Sequence, residues 1–134
     1  MRFVGEYEQK IDDKGRVVLP SAFRNELENV KLMLSLGDHG EIGIWPIEEW
    51  DRRAAEKQLH EYESDGAARE FREFTRNAHE VKLDGQFRFA ISETLRRKGG
   101  FSEVGASQPL VIIGARNRLE IWEKSRHTNQ FERD

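Results

Sequence analysis

The sequence predicts a mixed α+β domain, mainly β, built from two copies of one hairpin-and-helix unit. The first observation is an internal repeat, because residues 11–24 match residues 83–96 after a shift of 72 positions. A second match, of residues 42–45 with residues 119–122, follows in the same order at a slightly larger shift. Two matched blocks in one order indicate an internal duplication.

The duplication implies two halves that share one core. A chain of 134 residues suits one compact domain or two very small halves. Eight phenylalanines and three tryptophans supply a large apolar area for this length. We expect the halves 1–66 and 67–134 to form a single pseudo-twofold domain, in which each half covers the apolar face of the other.

The first half predicts a hairpin, a short helix and a second hairpin. Short alternating or β-branched runs predict its strands at residues 6–11, 17–19, 32–36 and 42–45. The turn formers of Asp12–Gly15 join the first pair, with Gly15 available for a positive φ. Pro20 ends the return strand, and a short helix follows with Phe23 and Leu27 on one face.

Two longer helices are expected after the second hairpin. Pro46 and the acidic residues behind it predict a helix start at residue 47, with an end near residue 63. Asp65–Gly66 interrupts the pattern, and a second helix follows. The inward side chains are expected to be Ile47, Trp50, Ala54 and Leu59, then Phe71, Phe74 and Ala78.

The second half repeats the same order of elements. Gly99–Gly100 is expected to stop its short helix. Residues 109–114 and 118–122 predict a hairpin, and the polar tail 123–134 predicts a short helix that frays. Because they lie beside buried strands in both halves, the tryptophans are interpreted as core or subunit-interface residues rather than as platforms for base stacking. These are Trp45, Trp50 and Trp122.

The charge pattern allows a local basic face on an acidic protein. The net charge of −3 argues against a protein that coats DNA through positive charge alone. Acidic residues dominate from residue 26 to 65, whereas basic residues dominate from 82 to 98. The first residues lack the apolar segment of a secretory signal, and no apolar run approaches the ~20 residues of a membrane helix. We expect a cytoplasmic protein with no membrane partner.

Patterns that would indicate an enzyme are weak. The chain has no cysteine and no glycine-rich phosphate loop. Glu56 and His60 share a predicted helix, but His39, His79 and His127 fall in other elements, whereas a metal site needs three or four convergent ligands. We therefore expect no catalytic residue, no metal, no cofactor and no small-molecule substrate.

An Asp-x-x-x-Arg pair occurs once in each half, as Asp12/Arg16 and Asp84/Arg88. The pair brackets a tight turn, so both side chains emerge at a hairpin tip. An aspartate there can bond backbone N–H groups and hold the guanidinium in a fixed direction. An oriented arginine suits phosphate oxygens or a guanine edge. The alternative is that the aspartate only caps the turn while the arginine is solvated.

The motifs resemble those of the MraZ family of bacterial transcriptional regulators over nearly the whole chain. The resemblance is carried by the following segments: 5–7, 12–16, 19–24, 45–46, 49–50, 84–88 and 117–122. It implies a duplicated double-split, swapped-hairpin β-barrel of the AbrB-like kind, flanked by short helices. It also implies ring-shaped homo-oligomers, associated with the nucleoid, that bind repeated short sites in double-stranded DNA upstream of the division and cell-wall gene cluster, including the chain's own promoter.

The second motif departs from the family pattern. Phe87 stands where the family usually has glycine, and Ser92 stands where it usually has proline. A bulky residue at a turn that favours positive φ predicts an altered second tip. We therefore expect Arg88 to point at a different angle from Arg16, toward phosphate rather than bases.

The sequence supports a site-specific DNA-binding repressor or other transcriptional regulator. Arg16 would contact bases or phosphates and Asp12 would orient it, with additional phosphate contacts from nearby cations. The candidate DNA-binding residues are Asp12, Lys14, Gly15, Arg16, Arg24, Asp84, Arg88 and Arg96, with Arg2 and Lys10 as further phosphate contacts. An antitoxin-like protein-interaction module on the same barrel is the alternative, and a long disordered toxin-binding tail would favour it.

Overall fold

A computed structural model describes residues 2–101 and 107–132 of the chain. Its strands are β1 (Glu6–Ile11), β2 (Arg16–Val18), β3 (Leu32–Leu36), β4 (Ile42–Pro46), β5 (His79–Val81), β6 (Arg88–Ala90), β7 (Gln108–Gly114) and β8 (Leu119–Glu123). Its helices are α1 (Arg24–Leu27), α2 (Ile47–Leu59), α3 (Asp65–Arg76), α4 (Glu93–Lys98) and α5 (Lys124–Phe131), with a 3₁₀ turn at Ser21–Phe23 before α1.

The eight strands form one antiparallel sheet that nearly closes into a barrel. The strand order is β5-β3-β4-β8-β7-β1-β2-β6. The strands at the two ends of this order, β5 and β6, are consecutive in the chain. In the turn between them, the Asp84 N–H donates to the Arg88 carbonyl oxygen at 2.9 Å. The predicted mainly β fold with short flanking helices is confirmed.

The barrel interleaves the two halves of the chain. The first hairpin, β1–β2, pairs with β7 and β6 of the second half, whereas β5 pairs with β3 of the first half. Exchanging β1–β4 with β5–β8 turns each pair of neighbouring strands into another such pair, except β1–β2, whose counterparts β5 and β6 are the two ends of the strand order. Since only the short strands β5 and β6 lie at the ends of the order, the sheet presents little open edge to other chains.

The core fills the barrel with side chains from both halves. Its fully buried members include Phe3, Leu19, Leu34, Ile91, Leu95, Leu110 and Ile112. Phe23 and Leu27 of the short first helix are also buried, as their spacing predicted. A large apolar side chain gains about 1.5–3 kcal/mol on full burial, so these contacts supply most of the stability of the barrel.

Two of the three tryptophans lie in the protein interior, and the third is half-buried. Trp45 and Trp122 are buried, and the Trp50 ring stacks on Phe74 with centroids 5.6 Å apart. Phe131 meets Trp122 edge-on in the second half. The core interpretation of Trp45 and Trp122 is confirmed.

The helices after β4 differ from the prediction at their ends. Helix α2 stops at Leu59 rather than near residue 63, and Asp65 begins α3 instead of only interrupting a helix. Leu59 is 81% exposed, so its predicted inward position is wrong. Phe74 is buried as expected, whereas Ala78 lies beyond the end of α3. Only one face of this helix pair rests on the sheet, and its far end lies in solvent.

Two smaller predictions are confirmed in the second half. Gly99 caps α4 and Gly100 adopts a φ of 88°, so these glycines end the helix. The tail forms α5, which is anchored by the buried His127. None of the helices in the described part of the chain has both the length and the apolar character needed to cross a membrane.

Candidate nucleic-acid interface

The first hairpin ends in a tip that is organised by Asp12. The Gly15 N–H donates to the Asp12 carbonyl oxygen at 3.0 Å, and Gly15 has a φ of 78°. This is a three-residue hairpin loop whose last residue is left-handed, a conformation that glycine adopts without steric cost. The sequence Asp-Asp-Lys-Gly therefore folds into a tip for local reasons.

The Asp12 carboxylate also orients Arg16. Its Oδ1 accepts from the backbone N–H groups of Lys14 at 2.9 Å and Arg16 at 2.8 Å. Its Oδ2 accepts from Arg16 Nε at 2.8 Å. The ion pair uses Nε, so it does not consume the two terminal guanidinium nitrogens. About a third of each side chain is exposed, and such pairs add little stability. The role of this ion pair is to set direction.

The second tip repeats this geometry. Asp84 Oδ1 accepts from the N–H groups of Gln86 at 2.8 Å and Arg88 at 2.9 Å, and its Oδ2 accepts from Arg88 Nε at 2.9 Å. Phe87 adopts a φ of 59°, close to that of Gly15. The prediction that Phe87 alters the second tip and turns Arg88 is therefore wrong. The physical reason is that the half-buried Phe87 ring packs against the core and holds the left-handed conformation.

Ser92 also takes over the role expected of proline. Its φ and ψ of −59° and 153° are close to the −56° and 141° of Pro20 at the matching place. Its hydroxyl accepts from the Leu95 N–H at 3.2 Å and so caps the start of α4. The departure of Ser92 from the expected proline leaves the backbone path unchanged.

Both aspartates are held ionised by their turns. Burial on its own would raise the pKa of Asp12, but the hydrogen bonds from Arg16 and Lys14 outweigh it, and the net pKa is lowered. At the second tip the backbone N–H of Arg88 lowers the pKa of Asp84 most, against a smaller opposing effect of desolvation. Each arginine therefore faces a full negative charge at neutral pH.

The tertiary structure brings the two tips onto one surface. Strands β2 and β6 pair with Arg16 opposite Ala90 and Arg88 opposite Val18. Side chains alternate along a strand, so these four residues share one face of the ribbon, while Val17 and Phe89 point into the core. The two arginines are diagonal neighbours, which lie roughly 7–8 Å apart, with a somewhat shorter distance between their Cβ atoms. We call this surface the tip face.

Four of the other predicted residues lie at the tips or behind them, namely Lys14, Gly15, Arg24 and Arg96. Lys10 lies on β1, where it pairs with Pro109 of β7, and Arg2 precedes β1. Lys14 is exposed at the first tip, and Gly15 is buried in the turn. Arg24 and Arg96 are half-buried behind the tips, where each donates to a main-chain carbonyl. Within the described residues, no group of three or more His, Asp or Glu side chains could hold a metal ion.

A family model described as "MraZ protein, putative antitoxin-like" matches residues 2–73 and, a second time, residues 74–134. The chain belongs to the MraZ family. It is similar to the transcriptional regulator MraZ of Deinococcus radiodurans, with 39% identity over 124 residues that cover 91% of this chain and 82% of the relative. It is similar in the same way to MraZ of Thermus thermophilus, with 38% identity over 123 residues and the same coverages. MraZ of Corynebacterium diphtheriae is 35% identical over 121 residues, which cover 90% of this chain and 80% of the relative.

Two participants in this MraZ tip face were missed by sequence reasoning. Gln86 occupies the second tip at the place that Lys14 has in the first, with its N–H on the aspartate in the same way. The repeat alignment contains this match, because a shift of 72 residues pairs the two positions. Val18, half-buried between the arginines, could be found only from the strand pairing.

Proposed function

We propose that this chain binds double-stranded DNA through the tip face, with both Asp–Arg pairs engaged. Membership of the MraZ family makes the chain a DNA-binding transcriptional regulator, and the proposal concerns how it binds. The observation that supports the proposal most is the equivalence of the two tips, whose arginines lie on one surface of the β2–β6 ribbon with terminal nitrogens left over by the aspartate pairs.

The shape of the tip face suits a DNA groove. A two-stranded β-ribbon fits the major groove, which is about 12 Å wide. An arginine held by an aspartate has lost much of its conformational freedom before binding, which lowers the entropic cost of a base contact. Arg16 and Arg88 would read base edges, and Lys14 would add a phosphate contact.

Affinity on such a small surface requires several copies of the chain. We propose a homo-oligomer, with a ring as the arrangement, that engages repeated short sites upstream of the division and cell-wall gene cluster, including its own promoter. Linked binding events raise avidity without new contacts. Exposed Leu59 and Tyr62, which are 81% and 91% exposed, are apolar side chains available for a subunit contact. We propose that the protein acts in the cytoplasm, on the nucleoid.

The oligomer has a direct test. Light scattering of the purified chain at micromolar concentration should give a multiple of 15.7 kDa. A mass of one chain across the concentration range used for DNA binding would overturn the avidity argument.

Binding is tested with the DNA upstream of the chain's own gene. A gel-shift series over increasing salt should show retention of this duplex at concentrations where a scrambled duplex of equal length stays free. The logarithm of affinity should fall linearly with the logarithm of salt concentration, with a slope of about −0.9 for each phosphate neutralised. Equal affinity for both duplexes would reject site-specific binding, and failure to bind either duplex would favour the protein-interaction alternative.

A further inference from the structure

Each tip is bonded to the opposite half of the chain. At the first tip, the Gly15 carbonyl oxygen accepts from the Ile91 N–H at 2.9 Å. The Ile91 carbonyl oxygen in turn accepts from Arg96 Nη1 of α4 at 2.6 Å. A chain of two hydrogen bonds therefore links the first tip to a helix of the second half.

The second tip has the reciprocal arrangement. The Phe87 carbonyl oxygen accepts from the Leu19 N–H at 2.9 Å. The Leu19 carbonyl oxygen accepts from Arg24 Nε of α1 at 3.0 Å. Arg24 and Arg96 occupy matching positions in the repeat. Each therefore completes an equivalent pair of hydrogen bonds, one from the first half to the second tip and the other from the second half to the first tip.

The guanidinium groups also pack directly on the tips. The Arg24 guanidinium carbon lies 5.0 Å from the centre of the Phe87 ring, within the range of a cation–π contact. The Arg96 guanidinium lies over Gly15 so closely that a Cβ atom there would collide with it. Each left-handed residue is therefore in contact with an arginine of the other half. The two contacts differ because Arg96 occupies the space beside Gly15 that a side chain would fill, whereas Arg24 packs on the ring of Phe87.

Both arginines are suited to fixing a position. They are half-buried, and hydrogen bonds from a charged donor are stronger than bonds between neutral groups. The planar guanidinium can donate to a carbonyl while it also covers a neighbouring group, which the ammonium of lysine does less well. An arginine whose role was only to contact solvent or phosphate would not require a hydrogen bond to a main-chain carbonyl oxygen, and both arginines make one.

We propose that Arg24 and Arg96 are positioning residues that each hold the reading tip of the opposite half. Arg24 holds the second tip through Leu19 and Phe87, and Arg96 holds the first tip through Ile91 and Gly15. We call these two crossed contacts the interlock. Because of the interlock, the Asp–Arg pair of each half is held in place by an arginine of the other half. The statement about DNA rests on the proposed function, whereas the statement about the tips concerns the free protein.

The interlock is tested without DNA by hydrogen–deuterium exchange with mass spectrometry on the full chain. The informative amides are those bonded to the aspartates, at Lys14 and Arg16 in the first tip and at Gln86 and Arg88 in the second. Arg24→Met keeps an apolar stem but removes the donor. It should speed exchange about tenfold in the peptide of the second tip and leave the first tip at the wild-type rate, if the interlock is worth roughly as much as a charge-assisted bond.

Arg96→Met is the matched reverse case and should speed exchange only at the first tip. The interlock is refuted if each substitution loosens the tip of its own half, if both tips respond equally, or if neither responds. Arg24→Lys and Arg96→Lys repeat the comparison with a retained charge, so the test stands even if a methionine variant unfolds. They should produce the same crossed pattern at smaller size.

A double-mutant cycle on DNA then separates positioning from direct phosphate contact. The cycle is measured at low salt, where variants that have lost specific binding still bind DNA measurably. The effect of Arg24→Met on affinity should largely disappear when Arg88 is already alanine, but should combine multiplicatively with that of Arg16→Ala, since coupled residues are non-additive. If Arg24 instead contacts phosphate directly, the effect of Arg24→Met should combine multiplicatively with that of both alanine substitutions, and its salt slope should be lower by about one. Failure of all variants and wild type to bind DNA would reject the proposed function while the exchange result still decides the interlock.

Discussion

The two hairpin tips carry different sequences and the same geometry. Between aspartate and arginine the first tip has Asp-Lys-Gly and the second has Gly-Gln-Phe, yet the three bonds to each carboxylate agree within 0.1 Å. A left-handed residue other than glycine costs about 1–2 kcal/mol. At Phe87 this cost is offset by packing on the core and beneath Arg24. The comparison teaches that the aspartate and the arginine define the tip, while the left-handed residue can vary if the surroundings hold it.

The tips differ more in charge than in shape. Asp13 and Lys14 place two charges on the first tip, whereas Gly85 and Gln86 make the matching part of the second tip neutral. In the proposed complex, Lys14 would give the first tip a phosphate contact that the second tip would lack. Changes at the arginines test what the tips share, and changes at the left-handed residues test how they differ.

The largest effect is expected for Arg16→Ala. The substitution should abolish specific DNA binding while the fold remains, because a lost bidentate base contact costs ~1–3 kcal/mol at each site and avidity multiplies it. Binding curves on the operator and on a scrambled duplex measure this loss. Arg72→Ala, an exposed arginine on α3, serves as the matched control and should bind like the wild type. Wild-type affinity in Arg16→Ala would show that this arginine does not read the operator.

Arg88→Ala should cause the same kind of loss. From the sequence alone, Phe87 predicted that Arg88 contacts phosphate and that its removal weakens all duplexes uniformly. The equivalent hydrogen bonds of the two tips now favour an equal role, so the preference for operator over scrambled DNA should fall as it does for Arg16→Ala. A uniform loss on both duplexes, with a salt slope lower by about one, would mean that equal geometry does not produce equal contacts.

The left-handed residues should respond unequally. Gly15→Ala combines a positive φ with a collision against Arg96, so the free energy of unfolding should fall by about 1–3 kcal/mol. Phe87→Gly relieves strain of about 1–2 kcal/mol but loses the packing of a half-buried ring, so its net change should be smaller. Urea denaturation of both variants decides this. A larger loss for Phe87→Gly would indicate that ring packing outweighs backbone conformation at the second tip.

The smallest effect concerns pH. Burial alone would raise the pKa of Asp12, but the hydrogen bonds from Arg16 and Lys14 outweigh it, so the pKa is lowered in the folded protein. The stabilising contribution of this carboxylate is therefore fully present above an unfolded pKa of about 4 and is lost as pH falls through the lower folded value. Melting temperatures over an acidic pH series should show a shallower decline for Asp12→Asn than for the wild type. Identical slopes would mean that the turn does not depend on the ionised carboxylate.

Local patterns predicted most of the elements correctly but failed where tertiary packing decides. The strand runs and the glycine stop after α4 are short-range features, and the structure has them where they were expected. The prediction that Leu59 points inward was wrong. Helical periodicity indicates which residues share a face of α2, but it does not indicate whether the sheet extends beneath the last turn of that helix. The altered second tip failed because a steric rule for Phe87 ignores the core that compensates for it.

The sequence by itself determined the duplication, the two Asp–Arg pairs and the class of protein. These depend on residue identity, on the spacing within each motif and on the comparison of one segment with another, all of which can be read along the chain. Only the tertiary structure decided that β2 and β6 pair, so that residues 72 positions apart become diagonal neighbours on one face. It also decided that Arg24 and Arg96 cross to the opposite tip. The physical reason is that strand exchange between the halves is chosen by burial of the shared core, which no local pattern specifies.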